Sequence, residues 1–564
     1  MLDQYYDSYG YKPSEAFITT AELRDIKFSP VTRVDRKRTE LQAFFSEQGQ
    51  EIIDLRQSPL LLKQPVTRGH DYANDYLTLE ILEDGTISFS LDDKTSKEDF
   101  KSFSYSLDNG KNWFTTVNTH DGGGGCGGGG RTGGEDGKIL DLQVGTKEND
   151  TKQGGFNDDE YRMFEDWFFD SGLLMAGTDH IEVSIDVSAG DKILWKADST
   201  RYKDSYFKST CKFNVSGNIM SMVYGDDFVG KTTFPTDSTI ISGLFVFTDV
   251  VDASKLILPA TKLTEYCYEG MFYRCESLVK APELPAKDVS ILCYREMFRG
   301  CISLTNAPKL PATTLADECY AYMFSECESL IKAPELPATN LAYACYGCMF
   351  ADCTSLTKAP VLPATELSNW CYCEMFAGCT LLTKAPELPA TTLADGCYCV
   401  MFADCESLTT APELPATTLT EACYGEMFAG CKSLTTAPEL PATTLADGCY
   451  YEMFVGCASL TTAPELPATT LTEACYGEMF AGCTSLTTAP ELPATTLVEG
   501  CYEYMFYECA SLNYVKCMAT EFGADSTIDW LVDVAETGTF VKKAGVEWDE
   551  GESGIPDGWT VEEV

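Results

Sequence analysis

From residue 263 to residue 509 the apolar positions of the chain recur with a period of 26. Met-Phe pairs begin at Met271, Met297, Met323, Met349, Met375, Met401, Met427, Met453, Met479 and Met505. Each Met has a Cys four residues before it (Cys267 through Cys501) and another four residues after it (Cys275 through Cys509). Within one copy Leu263, Cys267, Met271 and Cys275 are four apart, a spacing that predicts one stripe of a helix of about two to three turns. Thr followed three residues later by an acid, as at Thr314, Thr392, Thr418, Thr444, Thr470 and Thr496, reads as a capping box at its start. Gly300, Gly378, Gly430, Gly456 and Gly482 stand where a left-handed C-cap is needed. The segment that follows, SLTTAPELPATTL in its commonest form, carries two prolines and predicts a short strand ending at the first of them. One such unit cannot bury its apolar face alone. Stacked at about 4.8 Å per parallel strand, ten copies make a solenoid roughly 50 Å long. Phe245 and Val246 one period before the first pair, and Leu531 and Val532 one period after the last, mark the atypical capping copies.

Upstream the period falls to two. YLTLEILEDGTISFSLDD, SFSYSLDNGKNWFTTV, IEVSIDVSAGDKILWKAD and STCKFNVSGNIMSMVYGDDF alternate apolar and polar residues between Gly-containing turns. They predict an antiparallel sheet folded into an all-β sandwich. An insert at 118–178 interrupts it with the runs Gly122 to Gly125 and Gly127 to Gly130 around Cys126. No phosphate-loop spacing occurs there, and the insert reads as a flexible linker. Behind it, residues 158–170 place Tyr161, Phe164, Trp167 and Phe168 on one side of an amphipathic helix. Residues 1–75 have no periodic core and carry the basic cluster Arg33, Arg36, Lys37 and Arg38. They read either as an arm that orders on a larger assembly or as an extension packed along the sandwich. The expected organisation is an arm at 1–75, a β-sandwich at 76–235, a solenoid at 236–540 and a cap or tail at 541–564.

Composition then narrows the function. The chain has 41 basic and 86 acidic residues for a net charge of -45; residues 1–70 hold ten of each sign, so the excess lies beyond them. Such a field repels nucleic acid and anionic membranes. No apolar run approaches the roughly 20 residues of a membrane span, and the N-terminus lacks the pattern of a secretory leader. Histidine occurs only at His70, His120 and His180, which removes the commonest general base and zinc ligand from the second half. The carboxylates Glu283, Glu335, Glu387, Glu413, Glu439, Glu465 and Glu491 form a repeating row rather than one asymmetric pair. No catalytic residue, cofactor or metal site is therefore expected, and the chain is not read as an enzyme. Of 26 cysteines, 20 are repeat positions. A uniform row offers no unique pairing, so they read as a reduced, buried ladder. Cys348, Cys373 and Cys399 fall outside it, without zinc-finger spacing.

The run MFxxCxSLTxAPxLP resembles the BspA-type branch of leucine-rich repeats in its longer form, over about residues 236 to 540. The resemblance implies an α/β leucine-rich-repeat solenoid of 26-residue repeats, ten copies plus caps, used for adhesion and recognition at surfaces in Bacteroidales and their phages. The segments before the array resemble the β-module that precedes such arrays. On that frame, Tyr322, Tyr343, Trp370, Tyr451 and Tyr504 vary between copies, and Lys280, Lys332, Lys358 and Lys384 give way to threonines. Local aromatic and charge variation on a constant scaffold suits a ligand-reading face; drift among duplicated repeats is the alternative. The expected function is a phage virion component, a tail fibre or host-recognition protein assembled in the bacterial cytoplasm. Its arm would bind other virion proteins and its solenoid a host cell-surface glycan or protein. A bacterial cell-surface adhesin is the alternative, and a second copy of the chain is a further candidate partner.

Overall fold

The computed structural model describes residues 72–92, 100–117, 180–199, 206–235 and 241–564. The described residues from Ala73 onward belong to one compact unit. The basic cluster Arg33, Arg36, Lys37 and Arg38, the glycine-rich insert and the helix expected at 158–170 lie outside the described residues.

The period-two segments form strands, as their turns require: β1 (Leu77–Ile81), β2 (Gly85–Asp92), β3 (Phe100–Ser106), β4 (Phe114–Val117), β5 (His180–Val187), β6 (Lys192–Ser199), β7 (Tyr206–Ser209) and β8 (Phe213–Asn218). With β9 (Val250–Ile257) they make a six-stranded sheet, β4-β3-β6-β1-β8-β9, and a three-stranded sheet, β5-β2-β7. Leu77, Leu79 and Ile81 point inward from β1 while Thr78 and Glu80 do not, the alternation a half-buried strand needs. Rings join the two sheets: Trp195 of β6 lies 5.0 Å from Phe207 of β7 and 6.1 Å from Phe89 of β2. Gly217 lets β8 approach the chain before β1, since a Cβ there would fall 2.0 Å from the Tyr76 carbonyl oxygen. β8 pairs antiparallel with β1 on one side and parallel with β9 on the other. At β9 the sheet passes into the array, and Phe207, Phe245 and Phe272 stack at 5.3 and 5.4 Å to carry one aromatic column across.

The array corrects the expected helix. Among the described residues the one α-helix is α1 (Ser221–Tyr224), outside the repeats. In its place each rung carries a ribbon of four-residue turns. The residues five before, one before and three after the Met have positive φ in all ten copies; in the first they are Tyr266, Gly270 and Arg274, at 57°, 55° and 52°. Alternate N–H groups take different partners. Tyr268, Gly270, Phe272 and Arg274 donate to carbonyls of the next rung at 2.7–3.0 Å, while Met271, Tyr273 and Cys275 donate three residues back at 2.9–3.3 Å. Spacing decides between the two structures. From Tyr268 to Tyr476 the buried tyrosine rings stack 5.7–5.9 Å apart. An α-helix is about 10 Å across and cannot repeat at that interval.

The capping signals change meaning accordingly. Thr314 and Thr418 form parallel bridges with Asn340 and Thr444 of the next rung. Asp317 Oδ1 accepts the Tyr343 N–H at 3.1 Å, and Asp447 Oδ1 the Glu473 N–H at 3.2 Å, so these acids tie rungs together. Gly300, Gly378, Gly430, Gly456 and Gly482 are left-handed as expected, with φ of 67–71°, but they close turns rather than a helix. The expected strand shrinks to single bridges such as Lys384 to Thr410, because the prolines that follow have no N–H to extend a ladder. Val515 to Thr520 replace the proline segment and pair on both sides, with the proline-bearing β10 (Thr488–Leu492) across a register shift and with the segments that follow: β11 (Tyr514–Cys517), β12 (Thr539–Lys542) and β13 (Thr560–Glu563) are true parallel strands. β12 runs across residue 540, and residues 541–564 supply a further strand, β13, to the same sheet.

The interior is a set of columns. Tyrosine, Met, Phe and both repeat cysteines are buried in every copy. The second cysteine of each copy donates its S–H to the Phe carbonyl of the rung before, as Cys379 does to Phe350 at 3.2 Å. All 25 described cysteines are free, and Cys399 alone among them is not buried. Burial pushes interior thiols up, Cys267 to about 12, so they remain protonated at neutral pH.

Candidate functional site

Repetition makes the interior uniform, so chemical individuality is confined to the outer side of the turn ribbon. At the position one before the Met, the ten copies read Gly, Glu, Tyr, Cys, Glu, Val, Glu, Glu, Glu and Tyr on one backbone conformation. Three stretches follow along this face.

The first, in rungs one to three, is an Arg-Glu-Tyr cluster. Arg299 donates to Glu326 at 2.9 Å and to Glu296 at 3.3 Å, and Arg274 reaches Glu326 at 3.2 Å. The Arg299 guanidinium lies 5.9 Å from the Tyr273 ring and 5.2 Å from the Tyr322 ring. Glu296 is 3% exposed, and its Oε2 has no hydrogen-bond partner among the described residues. Burial pushes its carboxyl up against the opposing pull of Arg299 and Arg295. Burial also works against the Arg299 charge, but Glu296 and Glu326 more than offset it and raise its pKa. The cluster is a locked set of charges with one buried acceptor to spare.

The middle stretch carries three cysteines outside the ladder, Cys348, Cys373 and Cys399, with Glu374 among them. The third stretch is acidic. Tyr451 donates to Glu478 at 2.8 Å, and burial, then the neighbouring carboxylates Glu452, Glu374 and Glu478, push Glu426 up. A positively charged partner group would relieve that repulsion.

The expected ligand-reading residues do not converge. Tyr322 belongs to the arginine cluster. Tyr343 is 47% exposed and Trp370 is 37% exposed, in neighbouring columns. The Trp370 indole lies over Gly396, where a Cβ would come within 2.6 Å of the ring, and Tyr451 lies over Gly477 in the same manner at 3.0 Å. Trp370 and Tyr451 thus each have a glycine one rung later to make room. Tyr504 packs edge-on to Tyr507 at 5.9 Å. Lys280, Lys332, Lys358 and Lys384 are exposed in a separate column just before each Ala-Pro, where Lys280, Lys332 and Lys384 form parallel bridges and Lys280 pairs with Asp252 at 2.8 Å. The arginine cluster went unrecognised in the sequence, although Arg274, Arg295 and Arg299 are the last three arginines of the chain and fall within 26 residues of one another. No helix of the described residues is long and apolar enough to cross a membrane.

Comparison with protein families matches the model described as BspA type Leucine rich repeat region (6 copies) to residues 221–357, 265–409 and 397–525. Comparisons with curated proteins and with solved structures gave no match.

Proposed function

Because the chain belongs to the BspA-type leucine-rich repeat family, we propose that it is a surface recognition and adhesion protein whose ligand is read by the outer side of the turn ribbon. The observation that carries this reading is the contrast within each rung. Tyr, Met, Phe and Cys recur in all ten copies inside, while the outer positions change residue type on an unchanged backbone. Binding rather than turnover is proposed, since the carboxylates recur as rows and offer no single asymmetric pair. The exposed Tyr343 and Trp370 rings and the half-buried Tyr451 ring supply contact area with little entropy to lose. To test this, the labelled full chain is titrated onto bacterial cells with and without surface polysaccharide. Combining Tyr343→Ala, Trp370→Ala and Tyr451→Ala is expected to weaken binding at least ten-fold; unchanged binding contradicts the reading.

The finer role we propose is a phage virion component, a tail fibre or host-recognition protein. In it a β-sandwich spacer precedes ten repeats, and the segment holding Arg33, Arg36, Lys37 and Arg38 docks on other virion proteins. The support is chemical: 25 free cysteines suit assembly in a reducing cytoplasm. Antibody labelling of purified virions is the expected outcome. Labelling of cell envelopes in the absence of virions would instead assign the chain as a bacterial surface adhesin.

A further inference from the structure

Cys373 and Cys399 stand at the same position, two before the Met, in consecutive rungs. Inter-rung hydrogen bonds bracket them. Tyr372 N–H donates to the Cys397 carbonyl at 3.1 Å and Glu374 N–H to the Cys399 carbonyl at 2.9 Å. This registers the two residues side by side at about the 4.8 Å spacing of adjacent parallel rungs. A disulfide spans Cα atoms roughly 4.4–6.8 Å apart.

The interior cysteines share this spacing but are fully shielded from solvent, and those after the Met already donate to carbonyls, as Cys379 does. Cys373 is 9% exposed, and Cys399 is the one described cysteine that is not buried. Their column reads Gly347, Cys373, Cys399, Gly425. A Cβ on Gly425 would sit 3.6 Å from the Cys399 sulfur, so glycine there leaves that side of the thiol uncovered.

We propose that Cys373 and Cys399 form a redox modification site, a dithiol that a small-molecule disulfide converts into a disulfide tying two rungs together. The Cys399 thiolate attacks one sulfur of RSSR, forming a mixed disulfide and releasing RS−. The Cys373 thiolate then attacks the Cys399 sulfur and expels the second RS−. Two protein thiols are oxidised, one RSSR is reduced, and the two thiol protons end on the two RSH released. Glu374 Oε1, 3.9 Å from the Cys373 sulfur, is placed to receive the second proton on its way out. Cys399 is the more open of the two and meets RSSR first, which leaves the buried Cys373 as the resolving partner. Cys348 is the nearest competitor. It is 5% exposed and stands one residue before its Met rather than two, out of the column that Cys373 and Cys399 share.

The test incubates the full native chain with oxidised glutathione, blocks remaining thiols with N-ethylmaleimide in denaturant, and maps peptides by mass spectrometry. The wild type is expected to lose two of its 26 thiols as a Cys373–Cys399 link that retains no glutathione. Cys373→Ser should instead hold one glutathione on Cys399, Cys399→Ser should show neither, and Cys348→Ser should behave as wild type. An unreacted pair, a stable glutathione adduct in the wild type, or a link from either residue to Cys348 would overturn the proposal. The wild-type map decides the question even if a variant does not fold.

Discussion

The two halves of the described chain bury aromatic rings by different means. Between the N-terminal sheets, Trp195 meets Phe89, Tyr105 and Phe207 at interplanar angles of 39°, 40° and 73°. Each contact there is unique. In the array, Phe350 lies between Phe324 and Phe376 at 5.8 and 5.7 Å, tilted by 5° and 8°, and the same contact recurs in rung after rung. A defect between the sheets is met by unlike neighbours that can shift. A defect in the array removes two identical interfaces at once and leaves the column discontinuous.

The largest expected effect tests that difference. Phe350→Ala should cost about 4 kcal/mol and, by hydrogen exchange with mass spectrometry, open the rungs on both sides of residue 350 while sparing β1 to β8. Trp195→Ala should do the reverse at similar magnitude. Uniform loosening in both variants would mean that the two regions do not differ. Next come the polar atoms. Cys379→Ala removes the S–H donor to the Phe350 carbonyl and should cost about 1 kcal/mol, with Cys379→Ser milder because it keeps a donor. Tyrosines sharpen the contrast. Tyr224 donates to the Thr233 carbonyl at 2.8 Å, whereas the buried Tyr372 hydroxyl has no partner among the described residues. Tyr224→Phe should therefore destabilise by about 1 kcal/mol, and Tyr372→Phe should be neutral or stabilising in chemical denaturation.

The smallest effect is a response to pH of opposite sign in the two regions. In the array, burial pushes the Glu426 and Glu452 carboxyls up. A raised carboxyl contributes stability that is complete below its ordinary value of 4.5 and is lost as pH rises through the raised one. Among the sheets, the hydrogen bond from Lys196, then that from Tyr76, hold Asp226 below its ordinary value of 3.8. Its contribution is complete above 3.8 and disappears on further acidification. As pH falls from neutral to 4.5 the array should tighten by a few tenths of a kcal/mol, given the partial exposure of these groups, and the combined Glu426→Gln and Glu452→Gln variant should flatten that rise. Below 3.8 the sheets should loosen first. Region-resolved exchange across pH checks both signs.

Much of the frame was legible in the chain. The 26-residue period, the buried Cys-Met-Cys columns, the left-handed Gly300 and its equivalents, and the strands between Gly-containing turns all follow from spacing. The helix did not follow, for a specific reason. Cys267, Met271 and Cys275 fit a period of 3.6 and a period of 4 equally well over so short a span. Only the rung interval on the ribbon wall separates the two: successive tyrosine rings there stack 5.7–5.9 Å apart, too close for helices about 10 Å across. The face was legible residue by residue but not as a surface. Arg274, Arg299 and Glu326 belong to three different copies, and a linear pattern does not show that the stack brings them within 3.2 Å of one another's partners.

The central claim, a turn ribbon with one left-handed residue in four, is tested most directly by glycine. Ala344, Ala422 and Ala474 occupy left-handed positions with φ of 45°, 50° and 49°, in the column where other copies carry Gly396, Gly448 and Gly500. Alanine at such φ is strained, whereas in a helix it is favoured over glycine by about 1 kcal/mol. The three positions are two rungs or more apart, far enough for their effects to add. The denaturation midpoint of the Ala344→Gly, Ala422→Gly, Ala474→Gly variant should rise, by the equivalent of about 1 kcal/mol per site. A midpoint lowered by a similar amount would restore the helix and contradict the account.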